Sequence, residues 1–549
     1  MKTDRQLKKR RKPRQSGSLQ EAIFRLCLVL CLGLLVSGCS TEHYKADADK
    51  EVEKILEEKW EGDFGSQANY RISDVEPGEE DVAVAPAAEV SGRLSLAEAV
   101  ALATAHNRNY QSQKESLYLS ALDLTLARHE FAPQLFGMFG GGYTKSGSDE
   151  TVDGGGNLGL NQALADGAQI GVQIATDWLR YLTGDPRTSL GSVLTATISQ
   201  PLLKGAGRKI AQENLTQAER NTLYQIRSFN RFRKEFVVQI VSQYFNVLET
   251  LDRVENEKSN YERLVLAHEQ TQMLSESGRR PPLEADQAEQ DKLSAWDNYI
   301  SAQENYKQQL DSYKITLGLP TEGNIELDPN ELNRLGGTEI ADPEYEESRL
   351  IETALAQRLD LMNARDQVED SERKVTVAAD NLGVELNLVG SINVSTPDGQ
   401  RPARFQFQNG AYGVGLEGDL NLDRKAERNA YREALISLTQ QQRAYAEDRD
   451  QVIFDVRQTY RDLREAAAQY RIRQMSLKLA EQRVESTAML LQAGRAITRD
   501  LLEAQRSLLQ AQNSRTSALV RYTVANLEFY RDLGILEVRP DGLWNEVTP

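Results

Sequence analysis

Cysteine is scarce in this chain: three residues in 549. Cys27 and Cys31 lie within the first apolar run and Cys39 closes it. A chain that keeps only Cys39 after export forms no internal disulfide. Histidine is as thin, with His43, His106, His129 and His268 far apart. No two of them stand at a ligand spacing, so a zinc or copper centre is not expected. Gly205-Ala-Gly207-Arg-Lys lacks the lysine and hydroxyl spacing of a phosphate loop. The many acids follow helix-surface densities and single out no acid–base pair. The composition therefore predicts neither an enzyme nor a metal or cofactor protein. Aromatics reach only 7% and mean hydropathy is −0.54, which excludes a bundle of membrane helices.

Positive charge is also in short supply, and much of it is at the start. The net charge is −17, yet nine basic residues precede Cys39. Without them and the two acids among them, 56 basic and 80 acidic residues remain, a charge of −24. Such a surface repels nucleic acid and suits a solvated wall. The basic start runs into Leu26–Val36, eleven apolar residues, too few for the roughly 20 that span a bilayer. Basic region, short apolar run and small residues make a secretory signal over 1–38. Val36-Ser37-Gly38-Cys39 resembles a bacterial lipobox, which makes Cys39 the lipidated (palmitate-bearing) first residue of the exported chain. Ser40 after it, in place of Asp, implies sorting to the outer membrane.

Residues 39–93 read as an anchored tether. It holds a short amphipathic helix over Tyr44–Trp60 and an acidic, Pro/Ala-rich stretch from Ser73. The remainder is one unit written twice, in 94–336 and 337–537, with a tail at 538–549. Val237, Ile240, Tyr244 and Val247 match Ile453, Val456, Tyr460 and Leu463 at a constant offset of 216. Gly278 matches Gly494, and Leu317-Gly318 matches Leu533-Gly534, at that same offset. Each unit predicts helix, strands, a very long helix, a turn and a returning helix. Residues 209–277 and 424–493 hold almost no breaker, and their apolar positions step by three and four, as in a coiled coil.

Six strands are expected, at 135–144, 158–164, 169–178 and 192–203 within a β-region 134–203, and at 384–395 and 412–422 within 384–422. About ten alternating residues per strand is the pattern of a membrane barrel. Six strands cannot close a pore alone, so several copies must share one barrel. The fold class is α+β: an oligomeric membrane β-barrel continuous with long coiled-coil helices.

These features together resemble the TolC-type outer-membrane efflux proteins over about 94–536. Gln200-Pro-Leu-Leu-Lys-Gly-Ala-Gly-Arg208, Leu420–Ala430 and Leu491–Gln505 look like segments of that family. The resemblance implies a homotrimer with about four strands per chain in a 12-stranded barrel, above a hollow helical barrel in the periplasm. It implies a periplasmic adaptor protein docked directly, and an inner-membrane transporter served indirectly. Two strands exceed its count; they read either as an added periplasmic hairpin or as strand halves. It further implies a gate of acids at the tips: Asp500 and Glu503 after Gly494, with Glu284 and Asp286 as first-unit candidates. Asp500 reads equally as a helix cap. The first tip, near 278–286, has three fewer residues between its glycine and its Leu-Glu-Ala triplet than the second, near 494–504. Gly278, Arg279, Arg280, Gly494 and Arg495 are the candidate adaptor contacts, with a plain helix C-cap as the alternative. The function expected is an exit duct for exported substrates. The rival is a non-conducting coiled-coil lipoprotein scaffold or the adaptor itself.

Overall fold

The computed structural model of the chain describes residues 40–60, 93–182, 188–336, 343–396, 404–539 and 544–545. Cys39 and most of the tether lie outside them. Two compact units divide between Glu58 and Lys59. Helix α1 spans Thr41–Trp60, where the sequence predicts one over Tyr44–Trp60, and all but its last two residues belong to the first unit.

The second unit runs through the same element order twice. Helices α2 (Leu96–His106) and α3 (Arg108–His129) lead into strands β1 (Gln134–Ser146), β2 (Asp149–Ala163), β3 (Gln169–Tyr181) and β4 (Thr188–Pro201). The rod α4 (Glu213–Glu276) and its return α5 (Pro282–Leu317) follow. The second pass comprises α6 (Glu347–Gln357), α7 (Leu359–Asp380), β5 (Glu385–Ser395), β6 (Ala411–Asp419), α8 (Lys425–Gln492) and α9 (Thr498–Asp532). Among the described residues no helix is long and apolar enough to cross a membrane.

Local chemistry sets the boundaries. The Ser95 hydroxyl accepts from the Glu98 N–H while the Glu98 carboxylate accepts from the Ser95 N–H, so α2 starts in a capping box. The Asn107 side chain accepts from the Tyr110 N–H at 2.9 Å and opens α3. A left-handed glycine packs on this break: Gly318, with φ 78°. A Cβ there would overlap the His106 carbonyl. Gly534, with φ 81°, does the same at the α6–α7 break, where a Cβ would lie 3.0 Å from the Gln357 carbonyl.

The rods are 64 and 68 residues long, which is about 95 and 100 Å of helix. Val237, Ile240, Tyr244, Val247 and Leu248 on α4 are all buried. On α8, Val452, Val456, Tyr460 and Leu463 are buried in one cluster with Leu350, Phe529 and Leu533. Each rod's tyrosine also pins the chain entering its own half. Tyr244 donates to the Leu94 carbonyl at 2.9 Å, and Tyr460 to the Tyr345 carbonyl at 3.0 Å.

A polar ladder joins the halves, between α4 and α7. Arg227 meets Asp366 at 2.7 Å, Arg220 meets Glu369 at 2.9 Å and Arg373 meets Glu213 at 3.0 Å. Asp370, only 3% exposed, accepts from Tyr224 at 2.7 Å, Gln217 at 3.0 Å and Arg373 at 2.8 Å. Burial pushes the Tyr224 pKa up, and its bond to the Asp370 carboxylate adds to the rise.

Near the end of the ladder, Lys234 donates to the Gly534 carbonyl at 2.8 Å. Burial pushes its pKa down to about 8, with Arg233 and Arg231 adding and Glu537 opposing. Between that value and the unfolded value near 10.4, the unfolded chain binds the extra proton, so stability rises with pH. Wild-type protein should therefore gain thermal stability relative to Lys234→Met between pH 7.5 and pH 10. Parallel melting curves for the two proteins would contradict this.

Candidate functional site

The six strands form one antiparallel sheet in the order β1-β2-β3-β4-β5-β6. That is six strands where the resemblance implies about four. They are not strand halves, because β1 and β2 run 13 and 15 residues, each to its own turn. The extra hairpin is continuous with the sheet, because β2 pairs with β3 from Thr151–Tyr181 to Ala163–Gln169. The ladder's own hydrogen bonds carry the sheet two strands further.

Register then sorts every side chain to one of two faces. Leu135, Leu160, Val172, Ala196, Ile392 and Tyr412 lie side by side across all six strands. One residue along, the opposite face reads Gln134, Asn161, Gly171, Thr197, Ser391 and Gly413. The pattern persists along the strands. Leu158, Ile174, Leu194 and Val394 share the apolar face, while Asn157, Gln173, Thr195 and Asn393 share, in the main, the polar one. Much of the apolar face is open, with Leu135 83% exposed, Phe139 81% and Val414 83%, while Val394 near its far end is covered. The polar face carries Asp149, Asp153, Asp177, Glu385, Glu417 and Asp419 and, among the described strand residues, no Lys or Arg.

The far ends of the rods are the second place where the sequence points to function. Gly278 and Gly494 end α4 and α8 with φ of 69° and 68°. Both close in the same way. The Arg279 N–H donates to the Leu274 carbonyl at 2.9 Å, and the Arg495 N–H to the Leu490 carbonyl at 2.8 Å. This pair of C-terminal caps requires left-handed backbone at the glycine. A Cβ on either glycine would meet nothing within 4 Å, so backbone conformation is what selects glycine here.

The turns themselves are equal in length, even though the first tip has three fewer residues between its glycine and its Leu-Glu-Ala triplet. The returning helices begin at Pro282 and Thr498, each four residues past its glycine. Matching the Leu-Glu-Ala triplets misaligns the turns, because helix restart follows backbone geometry rather than those side chains. Glu284 and Asp500 are consequently equivalent, each in the third position of its helix.

The structure ties the tips together. Arg280 donates to the Ala496 carbonyl at 3.3 Å and lies 3.6 Å from Glu284. Thr498 donates to Glu284 at 2.8 Å, and Arg506 to Asp291 at 3.1 Å. Asp500 accepts from the Ile497 N–H at 3.2 Å, so it does cap its own helix. Glu503 is exposed and accepts from Arg483 at 2.9 Å. Asp286, Arg279 and Arg495 are exposed. Sequence reasoning missed Thr498, Asp291 and Arg506. The repeat offset was the available signal, because these bonds join residues 214 to 216 apart.

Residues 350–534 match the sequence pattern of the outer membrane efflux protein family. No curated protein matches the chain. Solved structures of bacterial outer-membrane channels share its fold. The Campylobacter jejuni CmeC channel superposes with a TM-score of 0.59 at 15% identity, over 80% of this chain and 85% of that one. For the Vibrio cholerae outer membrane protein VceC the TM-score is 0.57 at 15% identity, over 80% and 96% of the two chains. The Neisseria gonorrhoeae MtrE channel in its open state gives 0.56 at 15% identity, over 80% and 88%. The resemblance to TolC-type outer-membrane efflux proteins thus rests on a family pattern in the second half and a shared fold along most of the chain.

Proposed function

We propose that this chain is an outer-membrane efflux channel: a lipid-anchored homotrimer that conducts exported substrates from the periplasm to the exterior and catalyses no reaction. The observation that carries the reading is the six-stranded sheet with one continuous apolar face, joined directly to two rods of about 100 Å. An apolar face of that extent is stable against lipid and costly in water. The polar face then lines a wet lumen, and the rods extend that lumen into the periplasm. A scaffold or adaptor would have no use for a lipid-facing sheet, which favours the duct.

The tips serve as the gate and the docking end. Glu284 and Asp500 in three copies supply six carboxylates, with Glu503 and Asp286 on the exposed flank. The bonds from Arg280 and Thr498 to the opposite tip hold the turns together at rest. Gly278-Arg279-Arg280 and Gly494-Arg495 offer a periplasmic adaptor tight turns and directed donors. The inner-membrane transporter acts through that adaptor. Cys39 carries the lipid anchor.

The purified protein in a planar bilayer tests the reading. Discrete conductance steps are expected, with cations favoured, because only acids charge the polar face of the strands. Replacing Asp153 and Asp177 by asparagine should move the reversal potential toward zero. Neutralising Asp500 and Glu503 should raise the conductance. Absence of any step from trimeric protein in lipid would refute the duct.

A further inference from the structure

The sheet has two free edges among the described residues, β1 and β6. Both are long and apolar on one face, with Leu135, Phe139, Val414 and Leu416 more than half exposed. Bare edges are not tolerated in lipid. We propose that β6 of one copy pairs antiparallel with β1 of the next, so that three copies close a single barrel of eighteen strands. This rests on the trimeric channel proposed above and goes beyond it. The barrel is then about half as wide again as one of twelve strands, since diameter grows roughly linearly with strand number.

Three observations carry the pairing. The first is direction. Every neighbouring pair is antiparallel, and β1 leaves the helical end of the sheet while β6 returns to it. Placed beside each other, the two edges are antiparallel too.

The second is stagger. Along the ladder, Gln134 at the foot of β1 is level with Gly413, yet the foot of β6 is Asp419, six residues further on. Bringing the helical ends of the strands to one level therefore needs a shift of six residues per copy. The shift is even, so the apolar face stays outward all the way round. Eighteen strands sheared by eighteen residues tilt about 35°, within the range that barrels adopt.

The third is fit. That shift sets Asp419 opposite Gln134 and Ala411 opposite Gly142, so all nine residues of β6 find a partner. On the apolar face Tyr412 then lies opposite Gly141, Leu416 opposite Gly137 and Gly418 opposite Leu135, large against small. Val414 meets Phe139. Aromatic and branched side chains covering cross-strand glycine stabilise such pairs.

Disulfide cross-linking of the full chain in outer membranes tests this, with the wild-type cysteines as background. Phe139→Cys with Val414→Cys should link copies into a ladder that stops at three. Leu416→Cys with Gly137→Cys repeats the measurement at a second site. Leu135→Cys with Val414→Cys is displaced by about 13 Å along the strand and should link at least about tenfold less, given the short reach of opposed positions. Links between Val414→Cys and any of Val172→Cys, Ile174→Cys or Thr176→Cys on β3 would mean that β1 and β2 stand outside a twelve-stranded barrel, and would overturn the proposal. So would an intact trimer with no edge links, or a ladder running past three. A protein that stays monomeric in lipid would overturn the channel reading itself, a result distinct from each of these.

Discussion

Ile174→Arg should remove this protein from the outer membrane, whereas Gln173→Arg should leave it there. The two residues are neighbours on β3 and point to opposite faces. Ile174 lies between Leu158 and Leu194; Gln173 lies between Gly159 and Thr195. An arginine facing lipid at mid-membrane costs about 2–4 kcal/mol per copy. In the proposed trimer that cost is borne three times. On the polar face the same guanidinium is hydrated and costs little. The measurement is the amount of trimer in the outer-membrane fraction, alongside resistance of that trimer to urea. Equal tolerance of the two substitutions would show that the apolar face does not meet lipid.

Asp370→Ala should destabilise the helical part by about 3–5 kcal/mol per copy, the cost of breaking a buried ion pair by removing one partner. Asp370 is buried and holds Tyr224, Gln217 and Arg373 at once. Its loss removes an acceptor shared by three donors and leaves Tyr224 without its carboxylate, while Arg373 keeps Glu213 and Gln217 keeps Asn221. Tyr224→Phe removes one of those bonds and should cost about 1 kcal/mol. Glu503→Gln provides the contrast: it breaks the exposed contact with Arg483, a class of pair worth at most about 1 kcal/mol. Denaturant unfolding followed by helical circular dichroism ranks the three. An Asp370→Ala midpoint equal to that of Glu503→Gln would show that the ladder does not couple the halves.

The ladder also shows where the sequence is hard to read. Glu213, Gln217, Arg220, Tyr224, Arg227 and Arg231 step by four and three, as the apolar seam does. A period of that kind marks a buried stripe whether its residues are apolar or paired, but charges at helical spacing usually mark a solvated face. Only the opposing stripe on α7 distinguishes the two cases. The strands are easier. The sequence predicts 169–178 and Gln169–Tyr181 is found; it predicts 384–395 and Glu385–Ser395 is found. Alternation and turn residues are local signals, and they survive in a single sequence. The tips fall between these cases. Gly278 and Gly494 are legible from the repeat, and the same offset sets Glu284 against Asp500, although matching the Leu-Glu-Ala triplets conceals it.

Sequence by itself determined the doubled element order, the two rods and the presence of six strands, because helical and strand periods are local signals and the halves align at one offset; the strand expected at 158–164 runs instead over Asp149–Ala163, since its hairpin partner carries pairing into residues that read as turn. Tertiary structure decided that the six strands share one sheet with one apolar face, that α4 and α7 are locked by buried charge, and that each tip bonds to the other. Those facts depend on pairing between residues some 140 to 220 positions apart, and the chain encodes such contacts only through the register in which its halves come together.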